Sequence, residues 1–581
     1  MTMTVRGAAA PTSAGADKVG HPIEVLDAAM SAVAANADAW AATSPADRAL
    51  LLDRIIADTY SESEAWTAAA CQAKGHDPKT TEGGEEMFSG IGTFIRMART
   101  LAVSLRQIDA EGRPQFPGPV TESADGRLVV QVFPSSTFDK LLYAKTTGEV
   151  WIEPRVTRAE LEADQAPAYK DPAAWKGVSL VLGAGNVASL GPRDVLSKLF
   201  VEGKVVVLKA NPVNDYLVPH WTAAMSSLIE AGFLAIVEGG AEAGKYLCTH
   251  ELVDEIHVTG SDKTHDAIVF GVGEEGARRK AANDPVITKP VSCELGNVSP
   301  VIIVPGDWTA KDIAFQAENV ATMLTNNAGF NCLTPRVLIT WEGWTQRPAF
   351  LAALADRLRS IPTRQAYYPG AADRQALFLT AHPEAQLLGT PTAGELPWTF
   401  IPGVDSSATD DICFNVEAFC GLMAETALPS ADAASFVDAA VDFANDVVWG
   451  TLSASVIAHP TSLADATVGP RIEAAVANLR YGGIGLNIWH AMCFALGTTT
   501  WGAYPGHPIT DIQSGSGIVG NAFMLEHVQK SVVRGPFRSS PKPPYFSTAK
   551  NGRQTMERML AFEAGPSWAK LPGLLLAALR N

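Results

Sequence analysis

The seven cysteines and eleven histidines of this 581-residue sequence form no C-x-x-C and no H-x-x-x-H pair. The cysteines are scattered at 71, 248, 293, 332, 413, 420 and 493. An odd count without paired spacing argues for a reducing compartment and against a disulfide framework or a structural zinc site, so no metal is expected. Positive charge is also in short supply. With 45 Lys and Arg against 62 Asp and Glu, the formal net charge is −17, a repulsive background for a phosphate backbone, so no nucleic-acid partner is expected. Long apolar runs are missing too. The first twenty residues carry Arg6 and Lys18 but no signal-like apolar block. The most apolar stretch, Leu571 to Leu579, is far below the roughly 20 residues of a membrane-spanning helix. These absences predict a cytoplasmic protein with no integral membrane segment.

What is present is core-forming material: 47% of residues are hydrophobic and 18% charged, and the length exceeds what one core organises. From Pro22 to about Ala70 apolar residues fall at helical spacing, with Thr43 and Ser44 before Pro45 as a helix start. Short β-like runs follow at Leu128–Phe133 and Val150–Ile152. Apolar strand runs then alternate with amphipathic helices: Val178–Leu182, Val205–Leu208, Ala235–Val237, Glu255–Val258, and again from Ser299 to about Asn487. That alternation predicts an α/β protein with two doubly wound, Rossmann-like domains. After Trp501 the chain becomes Gly-rich, and Pro541, Pro543 and Pro544 mark a linker into a tail.

Val178 to Ala188 matches a dinucleotide fingerprint at Gly183, Gly185 and Ala188, yet the acidic residue expected about 20 positions on is Lys209. Another pattern accounts for both. Asn186 precedes Val206-Val207-Leu208-Lys209. Then come Gly240 to Gly244, His250 and Thr259-Gly260-Ser261. Glu294-Leu295-Gly296-Asn297, Asn327-Ala328-Gly329-Phe330-Asn331-Cys332 and Glu417-Ala418-Phe419 complete the series. In this order and spacing the sequence resembles the aldehyde dehydrogenase superfamily over roughly residues 22–110 and 177–535. The resemblance implies an NAD(P)-dependent aldehyde dehydrogenase acting on a small-molecule aldehyde, as a homodimer or homotetramer joined through a β-rich arm. It divides the chain into a cofactor-binding domain (1–125 and 156–295), a catalytic domain (296–500), an oligomerisation arm (126–155 and 501–536) and a C-terminal tail (537–581).

It also implies the site. Cys332 is the nucleophile, because a carbonyl carbon gives up hydride only from a tetrahedral adduct, which a thiolate forms readily. Asn186 and the backbone N–H of Cys332 are the oxyanion donors. Glu294 is the general base that activates water against the thioester. Lys209, Gly240, Gly244, Gly260, Ser261, Leu295, Glu417 and Phe419 are the cofactor contacts. Taken alone, these residues have plainer readings: a small buried hydrophobe for Cys332, a turn former for Asn186, a solvated carboxylate for Glu294.

The sequence departs from the family pattern in several places. Pro212 stands where NAD-preferring members often carry a Glu three residues after the Lys, so NAD is the expected cofactor and NADP stays open. Phe330 replaces a Gln, Asn297 a Gly, and Cys420 and Gly421 replace Gly-Pro. The segment 155–175 and the tail have no counterpart, and the loop from Ser261 to Glu294 reads as long. A tail that caps the substrate channel would suit a long-chain or bulky hydrophobic aldehyde; packing against a partner subunit is the plainer role. Three alternatives remain: a CoA-acylating dehydrogenase or acyl-CoA reductase, a binding or structural homologue without turnover, and a generic Rossmann dehydrogenase with a His or Tyr relay.

Overall fold

The structure is a computed structural model that describes residues 6–8 and 20–581; the first residues of the cofactor-binding segment lie partly outside these. Pro45 does open a helix. Ser44 accepts a hydrogen bond from the Asp47 N–H and starts a 29-residue helix, Pro45–Ala73, because a serine side chain satisfies one of the orphan donors of the first turn. This helix packs along Thr93–Glu111, which ends at Gly112 in the left-handed conformation (φ 80°).

Two sheets organise the rest. The first has six strands in the order Gly515–Ser516, Val291–Glu294, Glu255–Thr259, Val178–Leu182, Val205–Lys209 and Leu234–Val237, all parallel except the first. Its central strands are buried along most of their length, as a sheet covered by helices on both faces requires. The second has eleven strands. Its parallel core, running through Trp398–Val404, Leu422–Leu428, Pro335–Trp341, Ser299–Val304, Ser453–Ala458 and Gly483–Leu486, continues into Val528–Arg534. Val528–Arg534 pairs antiparallel with Thr147–Ile152, which pairs with Leu128–Phe133. The strands expected to form an arm therefore extend the eleven-stranded sheet of the same chain.

The expected long loop after Ser261 instead holds two helices, Asp262–Val269 and Gly273–Ala282. In the insertion, helix Arg158–Asp164 starts with a capping box between Thr157 and Glu160. The tail forms helices Gly552–Ala564 and Leu571–Ala578. It packs within the chain, against Thr81–Glu86, Met87–Gly92 and Thr93–Glu111. Its anchor is ionic: Arg96 donates to Glu563 at 2.6 Å and to Asp139 at 2.9 Å, and all three are buried. Glu563 is held below the ordinary carboxylate range: burial raises its pKa, but Arg96 and Arg99 more than offset this. Removing one partner strands a buried charge, so Glu563→Ala should cost about 3–5 kcal/mol in chemical denaturation. A loss below about 1 kcal/mol would mean that the tail is not anchored there.

Candidate active site

The carboxyl ends of parallel strands carry the site, where open α/β sheets leave a crevice. Leu182, Lys209, Val258, Thr259 and Glu294, at or next to the ends of four neighbouring strands, line one cavity of about 600 Å³. Of the eleven predicted site residues, ten line it: Asn186, Lys209, Gly240, Gly244, Gly260, Ser261, Glu294, Cys332, Glu417 and Phe419. Leu295 does not. Its side chain is fully buried in the core and its N–H donates to the Ser514 carbonyl, while its neighbours Glu294 and Gly296 face the cavity.

The thiol and the carboxylate meet. The Cys332 Sγ–H donates to Glu294 Oε1 at 3.2 Å. Burial and the facing carboxylate push the Cys332 thiol well above its ordinary pKa of 9.0, so the resting thiol is protonated. Glu294 is raised above 4.5, chiefly by burial and further by Asp194, with the Trp501 indole pulling the other way. A carboxylate made more basic by desolvation, against a protonated thiol, is suited to take that proton.

A strained loop delivers the sulfur. Asn327, Ala328 and Gly329 are all left-handed, with φ of 50°, 56° and 79°, which costs of order 1–3 kcal/mol for each non-glycine residue. At 329 a Cβ would lie 2.6 Å from the Cys420 backbone, so only glycine fits. Hydrogen bonds hold the turn. Asn327 Nδ2 donates to the Asn186 carbonyl at 2.9 Å and to the Phe330 carbonyl at 3.1 Å. Arg336 donates to the Gly329 carbonyl at 2.8 Å and also to that of Cys420.

The same network fixes Asn186. Its carbonyl also accepts from Lys74 Nζ at 3.3 Å and Tyr367 Oη at 2.9 Å, and Lys74 pairs with buried Glu86 at 2.6 Å. The Asn186 amide donates one hydrogen to the Phe330 carbonyl at 2.9 Å, leaving its second for an oxyanion beside Cys332. Lys74, Glu86, Arg336 and Tyr367 were missed in the sequence because they act through backbone carbonyls and carry no local motif.

The departures from the family pattern have structural partners. Phe330 sits in an aromatic cluster with Tyr367, Tyr368 and Phe419, at centroid distances of 5.0, 5.8 and 6.2 Å. Asn297 donates to Ser299 Oγ and to the Ser453 carbonyl, both at 2.9 Å, and its N–H donates to Glu417 Oε1 at 3.2 Å. Cys420 is buried beside Arg336.

The rest of the cavity fits a dinucleotide. Gly244 has open space where a Cβ would stand. Ser261 caps helix Asp262–Val269, whose N-terminus faces the cavity with amides and a positive dipole suited to phosphate. Lys209 is lowered to about 8 by burial. Glu417 is raised to about 7, mainly by burial, with Arg336 opposing; a Cβ at Gly296 would come within 2.2 Å of it.

Residues 167–372 match the aldehyde dehydrogenase family model. The coniferyl aldehyde dehydrogenase of Pseudomonas sp. (strain HR199 / DSM 7063) is 29% identical over 198 residues, 33% of this chain and 36% of that protein. The chain thus matches only about a third of that curated relative's length. An aldehyde dehydrogenase from Pseudomonas syringae in complex with NAD+ and octanal superposes with a TM-score of 0.57 at 17% identity, covering 93% of this chain and 98% of that one. A glyceraldehyde-3-phosphate dehydrogenase from Methanocaldococcus jannaschii complexed with NADP gives 0.59 at 14%, covering 92% and 99%.

Because Glu417 binds its proton more tightly folded than unfolded, its contribution to stability is present below about pH 4.5 and is lost as pH rises towards about 7. Glu417→Gln should therefore flatten the fall in melting temperature between pH 5 and 8. An unchanged pH profile would contradict the buried, titrating carboxylate. Taken together, residues 167–372 resemble the aldehyde dehydrogenase family, and the chain has the fold of solved aldehyde dehydrogenases over most of its length.

Proposed function

We propose that the protein oxidises an aldehyde to a carboxylic acid with NAD or NADP, through a covalent adduct on Cys332. The observation that carries this reading is the 3.2 Å contact between the Cys332 thiol and Glu294, in a cavity also lined by Asn186. Glu294 takes the thiol proton as sulfur attacks the carbonyl carbon, and the new oxyanion is met by the free Asn186 amide hydrogen. Preorganised donors of this kind contribute about 3 kcal/mol or more. A nicotinamide held by these residues would supply the hydride acceptor for the substrate carbon. Once Glu294 has passed that proton to solvent through the cavity, it removes one from water, whose oxygen attacks the thioester, and the C–S bond breaks to release acid and thiolate. Lys209, Ser261, Gly260 and Glu417 are proposed to hold the cofactor, with NAD as first choice and NADP open; Lys209 and the helix N-terminus would suit either.

Cys332 packs against an apolar cluster that includes Met492 and Phe494, on which Val187, Leu333, Ile488 and Tyr143 also pack. Tyr545 of the tail stands 6.1 Å from neighbouring Trp489. These surroundings support a hydrophobic aldehyde and a tail that closes its channel. Assembly as a homodimer or homotetramer and a cytoplasmic location belong to the same proposal; among the described residues no helix is long and apolar enough to cross a membrane.

Retention of Glu294 favours water over CoA as the acyl acceptor. An aldehyde panel with NAD and NADP, with and without CoA, should show cofactor reduction that needs no CoA and yields free acid. Cys332→Ala should lower it by about 10³-fold or more. Strict CoA dependence would overturn hydrolysis, and full activity in Cys332→Ala would overturn the covalent route.

A further inference from the structure

The C-terminal tail reaches both elements that hold the loop carrying Cys332. That loop leaves helix Ala310–Thr325 and passes through the left-handed turn at Asn327. The tail grips the helix near its end. The buried carboxylate of Glu318 accepts from Lys542 Nζ at 3.0 Å, from the Thr548 N–H at 3.2 Å and from the Thr548 hydroxyl. One turn further on, and three residues before the helix ends, Thr322 Oγ1 accepts from the Ser547 N–H at 3.1 Å. Phe546 stands 5.2 Å from Phe315 of the same helix.

The loop is braced from its other side by helix Thr81–Glu86. Glu85 Oε1 accepts the Asn327 N–H at 2.6 Å and pairs with Arg364 at 3.0 Å. Its neighbour Glu86 pairs with Lys74, whose Nζ also donates to Asn327 Oδ1 at 2.9 Å. Both glutamates come just before a π-helical turn, Met87–Gly92, a geometry that is rare inside helices and concentrated at functional sites. Tail helix Gly552–Ala564 packs on that turn and on the helix before it. A Cβ at Gly84 would come within 2.9 Å of the Arg553 Cα, so glycine admits the close approach, and Arg553 Nε donates to the Pro78 carbonyl at 2.8 Å.

We infer that the tail is a clamp that positions Cys332, gripping helix Ala310–Thr325 through Glu318 and Thr322 and helix Thr81–Glu86 through Arg553. Held at both ends, Asn327 stays in the left-handed conformation that sets the sulfur against Glu294. A backbone of that kind relaxes unless its surroundings over-determine it, and a reacting atom misplaced by about 1 Å can cost roughly 10²-fold in rate. The inference rests on the function proposed above and gives the tail a second role, besides closing the channel. Glu318, Glu85 and Arg553 are not among the residues that line the cavity, so they are positioning residues and not catalytic ones.

Glu318→Leu and Arg553→Ala release the two grips separately, where removal of the whole tail would also bare the faces it covers. Each full-length variant should lose about tenfold to 10²-fold in kcat and keep its KM for the cofactor, whose proposed contacts Lys209 and Ser261 stand apart from both grips. Glu318→Gln, which keeps an acceptor for Thr548, should recover most of the rate. A second readout needs no turnover: iodoacetamide labelling of Cys332 in cofactor-free protein, at a temperature where circular dichroism shows the variants folded. A thiol that drifts from Glu294 and Glu417, the carboxylates that face it, should label with a midpoint at lower pH. Unchanged kcat and labelling in both folded variants, or a cofactor KM that rises as far as kcat falls, would overturn the clamp. If the labelling shifts as expected but the wild-type protein reduces neither cofactor with any aldehyde, the clamp stands and the proposed function fails.

Discussion

The left-handed stretch Asn327–Gly329 is the constraint on which the site depends. It turns the chain sharply between helix Ala310–Thr325 and strand Pro335–Trp341 and so sets Cys332 against Glu294, which comes from the other sheet. A backbone in this conformation persists only where its surroundings over-determine it. Here Asn327, Lys74, Tyr367 and Arg336 supply that restraint through hydrogen bonds to main-chain carbonyls. Because Asn186 is tied by the same donors, the proposed nucleophile and oxyanion donor are held by one network.

The electrostatics follow from burial. Cys332, Glu294, Glu417 and Lys209 all shift towards their neutral forms, with desolvation as the first cause. Charge is therefore expensive in this cavity. A bound cation such as the nicotinamide ring would relieve that cost and favour the thiolate.

Much of this was legible in the sequence. The apolar strands alternating with helices gave the two sheets, and ordered short motifs located Cys332, Glu294, Asn186 and Glu417, because these residues sit at strand ends where local pattern and position coincide. Leu295 was misplaced among the cavity residues because a motif does not show which members face inward; on a strand exit, alternate residues point opposite ways. Lys74, Tyr367 and Arg336 act from distant segments through backbone atoms. The arm strands read correctly as strands, but whether they join their own sheet or another chain's is a long-range matter on which local pattern is silent.

The pairing of sulfur with carboxylate is tested most directly by alkylation of the cofactor-free protein with iodoacetamide, followed residue by residue by mass spectrometry. Glu294 raises the Cys332 pKa by charge and by hydrogen bond, so Glu294→Gln should speed labelling of Cys332 at pH 8 and shift its midpoint to lower pH. Equal rates and an equal midpoint in the two proteins would show that the groups do not meet, and the account of the site would fail.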